Sequence, residues 1–586
     1  MMLQALMKYA ERENLGDPDF EQADVRWLIP INSDGTLAGG PIPLYEDPSV
    51  KKPRPKRMIK PFTSPNELSV GGKSHFLCDT LERTLVFLDA KGEGMRASRT
   101  EQHSYYVGLL REAASAVPES AADLNAVLAF LGNEAAVSGL SDMLRSEKAK
   151  PSDNAVFSVD GRLLVNDEHI KSFWRLRRKA MREGKGAKQP RVCIATGELT
   201  ETMDTTEKIK GVPGGLAMGT NLISFDKDAF CSYGLEQAQN AALSGKAELM
   251  TRSALNKLIE ISKAQKLVFN ETVHLHWTRE PVDTDAINVL TEADPEAVAA
   301  LLHSVRKGRQ QLGMDENAYY AMSLSGNGAR IVVRDWLEST VPEVRRNIAH
   351  WFEDLAIVSQ EDGRAITHDF KFYALLYAMV RDKPDELPPN LSSQLWNCAL
   401  KGRGWPVPET CLCACLKRQQ AEADNRLNPR RMALIKLCLL RLNNPSTTKV
   451  IMTEKLDSDS NDPAYLCGRL FAVFDRLQYL ALGGVNAGVV ERFYASASTT
   501  PALVMGRLFR NAQNHLSKAS GGIATNVSKD FEEITSQLGC SFPTTLSLEE
   551  QGRFALGYYH QKAEYRRISI ERKEAHAEEK AAAQNA

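Results

Sequence analysis

The chain has 586 residues, of which 43% are hydrophobic and 25% charged, with a formal net charge of −1. That length holds two to four domains with sizeable cores, and the near-zero charge excludes a global basic field, so any nucleic acid must be met by local patches. No apolar run approaches the ~18 residues of a membrane span. The N-terminal MMLQALMKYAERENLG starts an amphipathic helix with no secretory apolar region, and ten scattered cysteines without a C-x-x-C pair predict free thiols in a reducing cytoplasm.

Residues 18–60 alternate short apolar runs with turns (NSDG, AGGP) and read as strands and loops. They end in KKPRPKRMIK, residues 51–60, with six bases and no acid; two prolines predict an extended, loop-like segment there. SVGGKSHFLCDT followed by TLVFL predicts a glycine turn entering a strand. Residues 101–150 have helical spacing, and VFSVDGRLLVN reads as a hairpin about its Asp-Gly turn. Residues 171–191, KSFWRLRRKAMREGKGAKQPR, carry nine Lys/Arg against one Glu, a helix and then a loop. A glycine-rich loop runs into an apolar stretch in KIKGVPGGLAMGTNLISFDKDAFCSYG, residues 208–234. Helix follows over 235–265. KLVFNETVHLHW (266–277) and ARIVVRDW (329–336) predict strands, the second buried.

From about residue 340 nearly everything reads helical, interrupted by NNPSTTK (443–449) and SDSNDP (458–463). Leu466, Leu470, Val473, Phe474 and Leu477 form one helical stripe, with Arg469 and Arg476 on a shared face away from its centre. The charged, then Ala-rich tail after Ser569 is expected to fray. The predicted class is α+β, with a mixed α/β domain over 1–340, a helical connecting region over 341–450 and a C-terminal helical bundle over 452–586.

The common chemistries fail on spacing. GGKS at 71–74 would need glycine at position 67 to cradle phosphate as a P-loop, and Glu67 stands there. A dinucleotide fingerprint starting at Gly214 would need glycine at 216, which is Leu216, and the loop precedes a strand instead of following one. Cys411, Cys413 and Cys415 diverge on a helix. His274 and His276 share a strand face without a third ligand in sight. No catalytic, metal or cofactor site is predicted, which leaves phosphate and base recognition. Gly211, Gly214, Gly215 and Gly219 permit close backbone approach. Lys208 and Lys210 suit phosphates, and Asn221 and Ser224 suit base edges.

RVCIATGELTETMDTTEKIKGVPGG and NLISFDKDAFCSYGLEQAQNA, with LSGNGARIVVRDW (324–336), the K-x-x-F-L-x-D pattern from Lys73 to Asp79, YLCGRLFAVFDRLQ and FALGYYHQ, resemble the large subunit of the type I-C CRISPR surveillance complex (Cascade), the Csd-type family. The resemblance covers essentially the whole chain; Asp226 stands where the family has Asn. It implies RNA-guided DNA binding without nuclease activity. The large subunit would read a protospacer-adjacent motif (PAM) in duplex DNA, promote unwinding and R-loop formation, and recruit a helicase-nuclease. Guide pairing would carry the rest of the sequence information. Implied partners are the guide CRISPR RNA, multi-copy backbone subunits, the 5′-handle-binding RNA-processing subunit, and small subunits made from the C-terminal region by internal initiation. Met452 is the candidate start.

On this reading the 208–221 loop meets DNA beside the PAM, with the amides of Gln237, Gln239 and Asn240 as further base-edge or wedge candidates. Lys52, Arg54, Lys56 and Arg57, the segment Gly72, Lys73, Ser74 and His75, and Arg177 and Arg178 are expected on the RNA handle or the DNA backbone. Trp174 is expected in the core more than as a stacking platform. Arg469, Arg476, Arg507, Arg510 and Lys518 are expected to face the displaced strand. Two rival readings are a scaffold that never touches DNA and a metal-dependent nuclease with dispersed carboxylates.

Overall fold

The computed structural model describes residues 2–585 apart from 16, 18, 50–52, 64–67, 69–70, 90–91, 184–189, 226, 283–285, 307–316, 367–368, 383–385, 389, 423–426, 442–451, 484–486, 519–521 and 540. The expected linker NNPSTTK (443–449) and Lys52 lie outside the described residues. The chain divides into two compact units: Met1–Gly211 with Leu216–Lys257 and Gly328–Ile331, and Val212–Gly215 with Leu258–Asn327 and Val332–Ala586.

The first unit opens with α1 (Met2–Arg12), then β1 (Phe20–Val25), β2 (Trp27–Ile31), β3 (Ile42–Pro43), β4 (Lys56–Pro61) and β5 (Cys78–Thr80). The helices α2 (Leu81–Thr84), α3 (Arg96–Ala116), α4 (Ala121–Gly132) and α5 (Glu134–Ser146) follow. Next come β6 (Asn154–Val159), β7 (Arg162–Leu163), α6 (Glu168–Glu183), β8 (Arg191–Val192), β9 (Leu199–Thr200) and α7 (Gly245–Ala264), of which the first unit takes the part to Lys257. The main sheet runs β3-β2-β6-β5, with β7 paired to β6 and β2 parallel to β6. Trp27, Ile29 and Ile31 alternate inward at the strand period, against a core that takes Tyr106 and Leu110 of α3 and Val127 and Phe130 of α4. The predicted hairpin is present: Asp160 and Gly161 both take positive φ, 45° and 80°, as a type I′ turn requires.

Several local expectations change. The basic segment is not loop throughout; residues 56–61 form β4, antiparallel to β1. TLVFL is not a strand, since β5 ends at Thr80 and α2 follows. Helix over 235–265 begins only at Gly245; a short 3-10 turn, Gln237–Ala241, precedes it.

The second unit holds an antiparallel sheet of β10 (Val268–Phe269), β11 (Thr272–Thr278), β12 (Ala318–Asn327) and β13 (Arg330–Thr340, of which the second unit takes Val332 onward), in that order. Only Ile331 of β13 is buried, so the expected buried strand is an edge strand. The helices α8 (Ala286–Glu292), α9 (Pro295–Arg306) and α10 (Val341–Leu355) join the sheet, followed by the short pair β14 (Ile357–Val358) and β15 (Ala365–Ile366). Then come α11 (Phe372–Ala378), α12 (Leu391–Lys401), α13 (Glu409–Ala421) and α14 (Pro429–Arg441). Trp351, Phe372, Trp396 and Leu434 centre one core here, which also takes Cys398, Cys411, Cys415 and Cys438.

The last helices are α15 (Pro463–Leu482), α16 (Val489–Thr499), α17 (Pro501–Leu516), α18 (Gly522–Leu538) and α19 (Leu548–Asn585). SDSNDP works as a helix start: the Asp462 carboxylate accepts the Tyr465 N–H at 2.8 Å, and Pro463 stands at the first turn. All five predicted stripe residues of α15 are buried in a second core with Tyr494, Met505 and Phe554. Met452, Tyr465, Leu556 and Tyr559 join the other core instead, so residues 452–586 share a core with the preceding helices. The tail expected to fray continues as helix to Asn585.

Candidate nucleic-acid interface

The glycine loop is built by backbone pairing. In the first unit Ile209 and Thr220 exchange hydrogen bonds at 2.8 and 2.9 Å. Asn221 donates its N–H to Ala329 O at 2.8 Å and accepts from Ile331 N at 3.0 Å. Gly219, at φ +98°, lies so close to Lys208 Cβ and Ile209 O that a side chain there would collide with both. The Lys210 N–H is held by Asn256 Oδ1 at 3.0 Å. Lys210 and Gly211 are exposed, and Lys208, Asn221 and Ser224 are half-buried. Neither lysine makes an ion pair, and the Asn221 amide takes no hydrogen bond, among the described residues.

Gly214 and Gly215 are used differently from the expectation. In the second unit Gly326 donates its N–H to Pro213 O at 2.7 Å, and a Cβ on Gly326 would run into the Gly215 backbone. On the side of Gly326 these two glycines allow close chain-to-chain packing, while Gly214 remains exposed. Two of the three predicted amides are engaged within the chain. Asn240 donates to Leu235 O and Gln237 O at 2.9 and 3.1 Å and accepts from Ser232 N at 3.0 Å. Gln239 Oε1 accepts the Glu236 N–H at 3.3 Å. Both shape their loop, whereas Gln237 is exposed at φ +44°.

Sequence reasoning missed the residues around this loop. The Arg330 guanidinium lies 4.4 Å from the Phe230 ring centroid, and Arg330 bridges to Asn221. Met218 is 76% and Tyr233 100% exposed, and Tyr233 sits at φ +53°. The available signal was LSGNGARIVVRDW itself: its Arg330 follows the turn that the glycine loop pairs with.

The other basic segments divide sharply. Arg54 and Lys56 are exposed, while Arg57 lies 3.5 Å from Asp24 across the β1–β4 ribbon. In Lys73–Asp79, Ser74 and Phe76 are fully buried, and Phe76 stacks on Trp174 at 5.1 Å. Asp79 accepts the N–H groups of His75 and Thr80, both at 2.7 Å, and Arg83 at 3.3 Å. Burial first, then the cations of Lys60, Arg83 and Lys210, push the His75 pKa down to about 2, so its ring is neutral. Gly72 and Lys73 stay partly exposed, but Ser74 is sealed in and cannot meet RNA or DNA as expected.

The basic helix α6 is largely neutralised. Lys171 pairs with Glu168 at 2.9 Å, Arg175 with Asp17 at 2.9 Å, Arg177 with Glu112 at 2.9 Å, and buried Arg178 with Asp19 at 3.7 Å. Arg177 and Arg178 therefore serve the fold, and Trp174 is core, at 2% exposure.

Among the bundle cations, Arg469 is 2% exposed and engages Gln561 at 3.0 Å and Glu533 at 3.3 Å. It does not line a surface. Arg476 is half-buried beside Tyr479. Arg507, Arg510 and Lys518 are exposed. Leu503, Arg507, Arg510 and Asn514 recur at four, three and four residues and share one face of α17, and from Arg492 to Lys529 the chain carries no acid.

Among the described residues, no cluster of three or more His, Cys, Asp or Glu is arranged to hold a metal. His274 bonds Ser323 at 2.8 Å, and His276 bonds Gln265 at 3.1 Å. Among the described residues no helix is long and apolar enough to cross a membrane. No curated protein matches the chain. The family model described as CRISPR-associated protein (Cas_Csd1) matches residues 4–566. The glycine loop, the LSGNGAR turn and the helical C-terminal region up to residue 566 fall inside that match, and the chain belongs to the Cas_Csd1 family, the Csd-type large subunits of type I-C CRISPR systems.

Proposed function

We propose that this large subunit reads the protospacer-adjacent motif in duplex DNA, starts unwinding and R-loop formation, and recruits the helicase-nuclease, acting by binding without chemistry of its own. The observation that carries the reading is the loop of the first unit. Lys208 and Lys210 are unpaired among the described residues, and the Asn221 amide is unused on a backbone fixed at both its N–H and its C=O. A bidentate side-chain amide discriminates one base edge by roughly 1–3 kcal/mol, while the lysines neutralise phosphate. Arg330, bridged to Asn221, is added to this set.

The partners are the guide RNA, multi-copy backbone subunits, the handle-binding subunit, and small subunits initiated at Met452. The exposed Arg507, Arg510 and Lys518 face meets the displaced strand. Met452 is buried in the full chain, and Glu454 O accepts the Val358 N–H at 2.8 Å. A product beginning at Met452 would have to re-cover that end. A mass spectrum of the purified complex lacking a species that begins at Met452 rejects this start.

The test of the main reading is duplex binding by the co-expressed complex on targets with three randomised flanking bases. It is repeated with Lys208, Lys210 and Asn221 changed to Ala. Loss of a wild-type flank preference in the variant is expected. Retention assigns the reading to another segment, and a wild type without preference favours a scaffold role.

A further inference from the structure

The hairpin of β8 and β9 carries a different kind of surface. Val192 and Leu199 are directly opposed across its two strands. They are 59% and 69% exposed, and Ile194 in the connecting turn is 47% exposed. Single exposed apolar side chains are ordinary, and a free two-stranded hairpin is marginal in water. This one is fastened underneath. Cys193 donates its N–H to Glu198 O at 2.9 Å and accepts Gly197 N–H at 2.8 Å; Ile194 N–H reaches Ala242 O at 2.9 Å, and Met203 N–H reaches Leu243 O at 2.8 Å. Cys193 is fully buried, and its sulfur accepts the Ser244 N–H at 3.4 Å. Three apolar side chains are thus held toward solvent on a preformed base.

Charge selects what can cover them. From Arg191, the first residue of β8, to Glu207 the chain has four acids against that one base, and Glu198 and Glu201 are exposed beside Leu199. Carboxylates at that spot repel phosphate, so nucleic acid is the wrong occupant. An apolar centre with a charged rim is the anatomy of a protein interface.

We propose that the β8–β9 hairpin docks a protein partner of the effector assembly, one presenting an apolar cleft rimmed by Lys or Arg, with Val192, Ile194 and Leu199 inserted and Glu198 and Glu201 paired at the edge. This surface is independent of the DNA-reading loop.

The test uses the co-expressed complex with guide RNA, wild type against V192S/L199S and against E198K/E201K. Protein composition is read by native mass spectrometry on dilution, with and without the helicase-nuclease, and duplex affinity is measured in parallel. Both variants should weaken retention of one protein partner at least about tenfold, as truncated interface anchors do, with DNA affinity within about twofold of wild type. A full protein complement with lowered DNA affinity would overturn the proposal in favour of a nucleic-acid surface. Altered self-association alone would assign the face to a second copy, and no change in either variant would leave the face without a partner and reject the idea. Should V192S/L199S lower the melting temperature, E198K/E201K decides, because it alters exposed carboxylates only.

Discussion

Helices α15 and α19 cross at two glycines, and replacing either by alanine sets two known effects against each other. In the interior of a helix Gly→Ala stabilises by about 1 kcal/mol. At Gly468, however, an added Cβ would fall far inside 3.0 Å of Phe554 O and at 2.9 Å from both Phe554 C and Tyr558 N. At Gly557 it would fall as deeply onto Tyr465 O. The obstructing atoms are backbone, so no side chain can swing aside; the helices must separate, by roughly 1 Å, in a core packed at crystal-like density. Overpacking of that kind costs about 3 kcal/mol. The net for Gly468→Ala is therefore about 2 kcal/mol of destabilisation. Gly506→Ala on α17, where nothing lies within 4 Å, should instead gain about 1 kcal/mol. Amide hydrogen exchange over α15, α17 and α19 in the intact chain reads both locally, which a global melt of a two-unit protein does not. A Gly468→Ala chain as protected as wild type, or more so, would refute the close crossing.

Changing Arg507, Arg510 and Lys518 together to Ala should lower the salt slope of single-strand binding by about 2, at ~0.7 per phosphate contact, without altering bundle protection. Arg469→Ala should do the reverse, costing about 2 kcal/mol of bundle stability through its lost buried hydrogen bonds, visible as faster exchange in α15 and α18. Acidification should destabilise the second unit. Burial holds His274 at about 3, and burial followed by the Lys436 charge holds His560 at about 3. Below the unfolded value near 6.5 only the unfolded chain takes up these protons, so stability falls with pH, by on the order of 2 kcal/mol per histidine at pH 5. A urea midpoint that does not move between pH 7 and 5 would contradict neutral burial. Gly326→Ala should expose the 212–215 amides to exchange, because its Cβ enters the Gly215 backbone; unchanged protection there would show that the loop does not seat on β12.

What could be read from the sequence was local. The Asp-Gly hairpin and the apolar stripe of α15 need only neighbours within a few residues, and both are present; SDSNDP read as a break, and the structure makes its Asp-Pro the start of α15. What could not be read was set by distant partners. Arg175 and Arg178 resemble a phosphate-tracking face until Asp17 and Asp19, more than 150 positions earlier, are folded against them. Arg469 and Arg476 share a helical face by spacing, yet α15 is buried nearly all round its first four turns, so the same spacing puts one arginine in the core and the other at its edge. That Gly214 and Gly215 pack against Gly326 could not be read either, because it stands 112 and 111 residues on.

The net charge of −1 is a poor guide to what this chain touches, because its charges are sorted by segment. Much of the basic sequence is consumed inside the fold: α6 by Asp17, Asp19, Glu112 and Glu168, and Arg469 by Glu533. Other stretches keep one sign. The acid-free run from Arg492 to Lys529 puts exposed cations on α17, and the base-free run from Val192 to Glu207 puts exposed carboxylates beside an apolar hairpin. A protein that only scaffolds other proteins has no need of the first, and one that only binds nucleic acid has no need of the second. Repulsion of phosphate by the hairpin and attraction of it by α17 both weaken as salt shortens the Debye length, to ~8 Å at physiological strength. The apolar contact of Val192 and Leu199 does not depend on salt in that way. Raising ionic strength should therefore strip nucleic acid from the assembly before it releases the protein held at the hairpin, and the reverse order would mean that the two surfaces have been assigned the wrong way round.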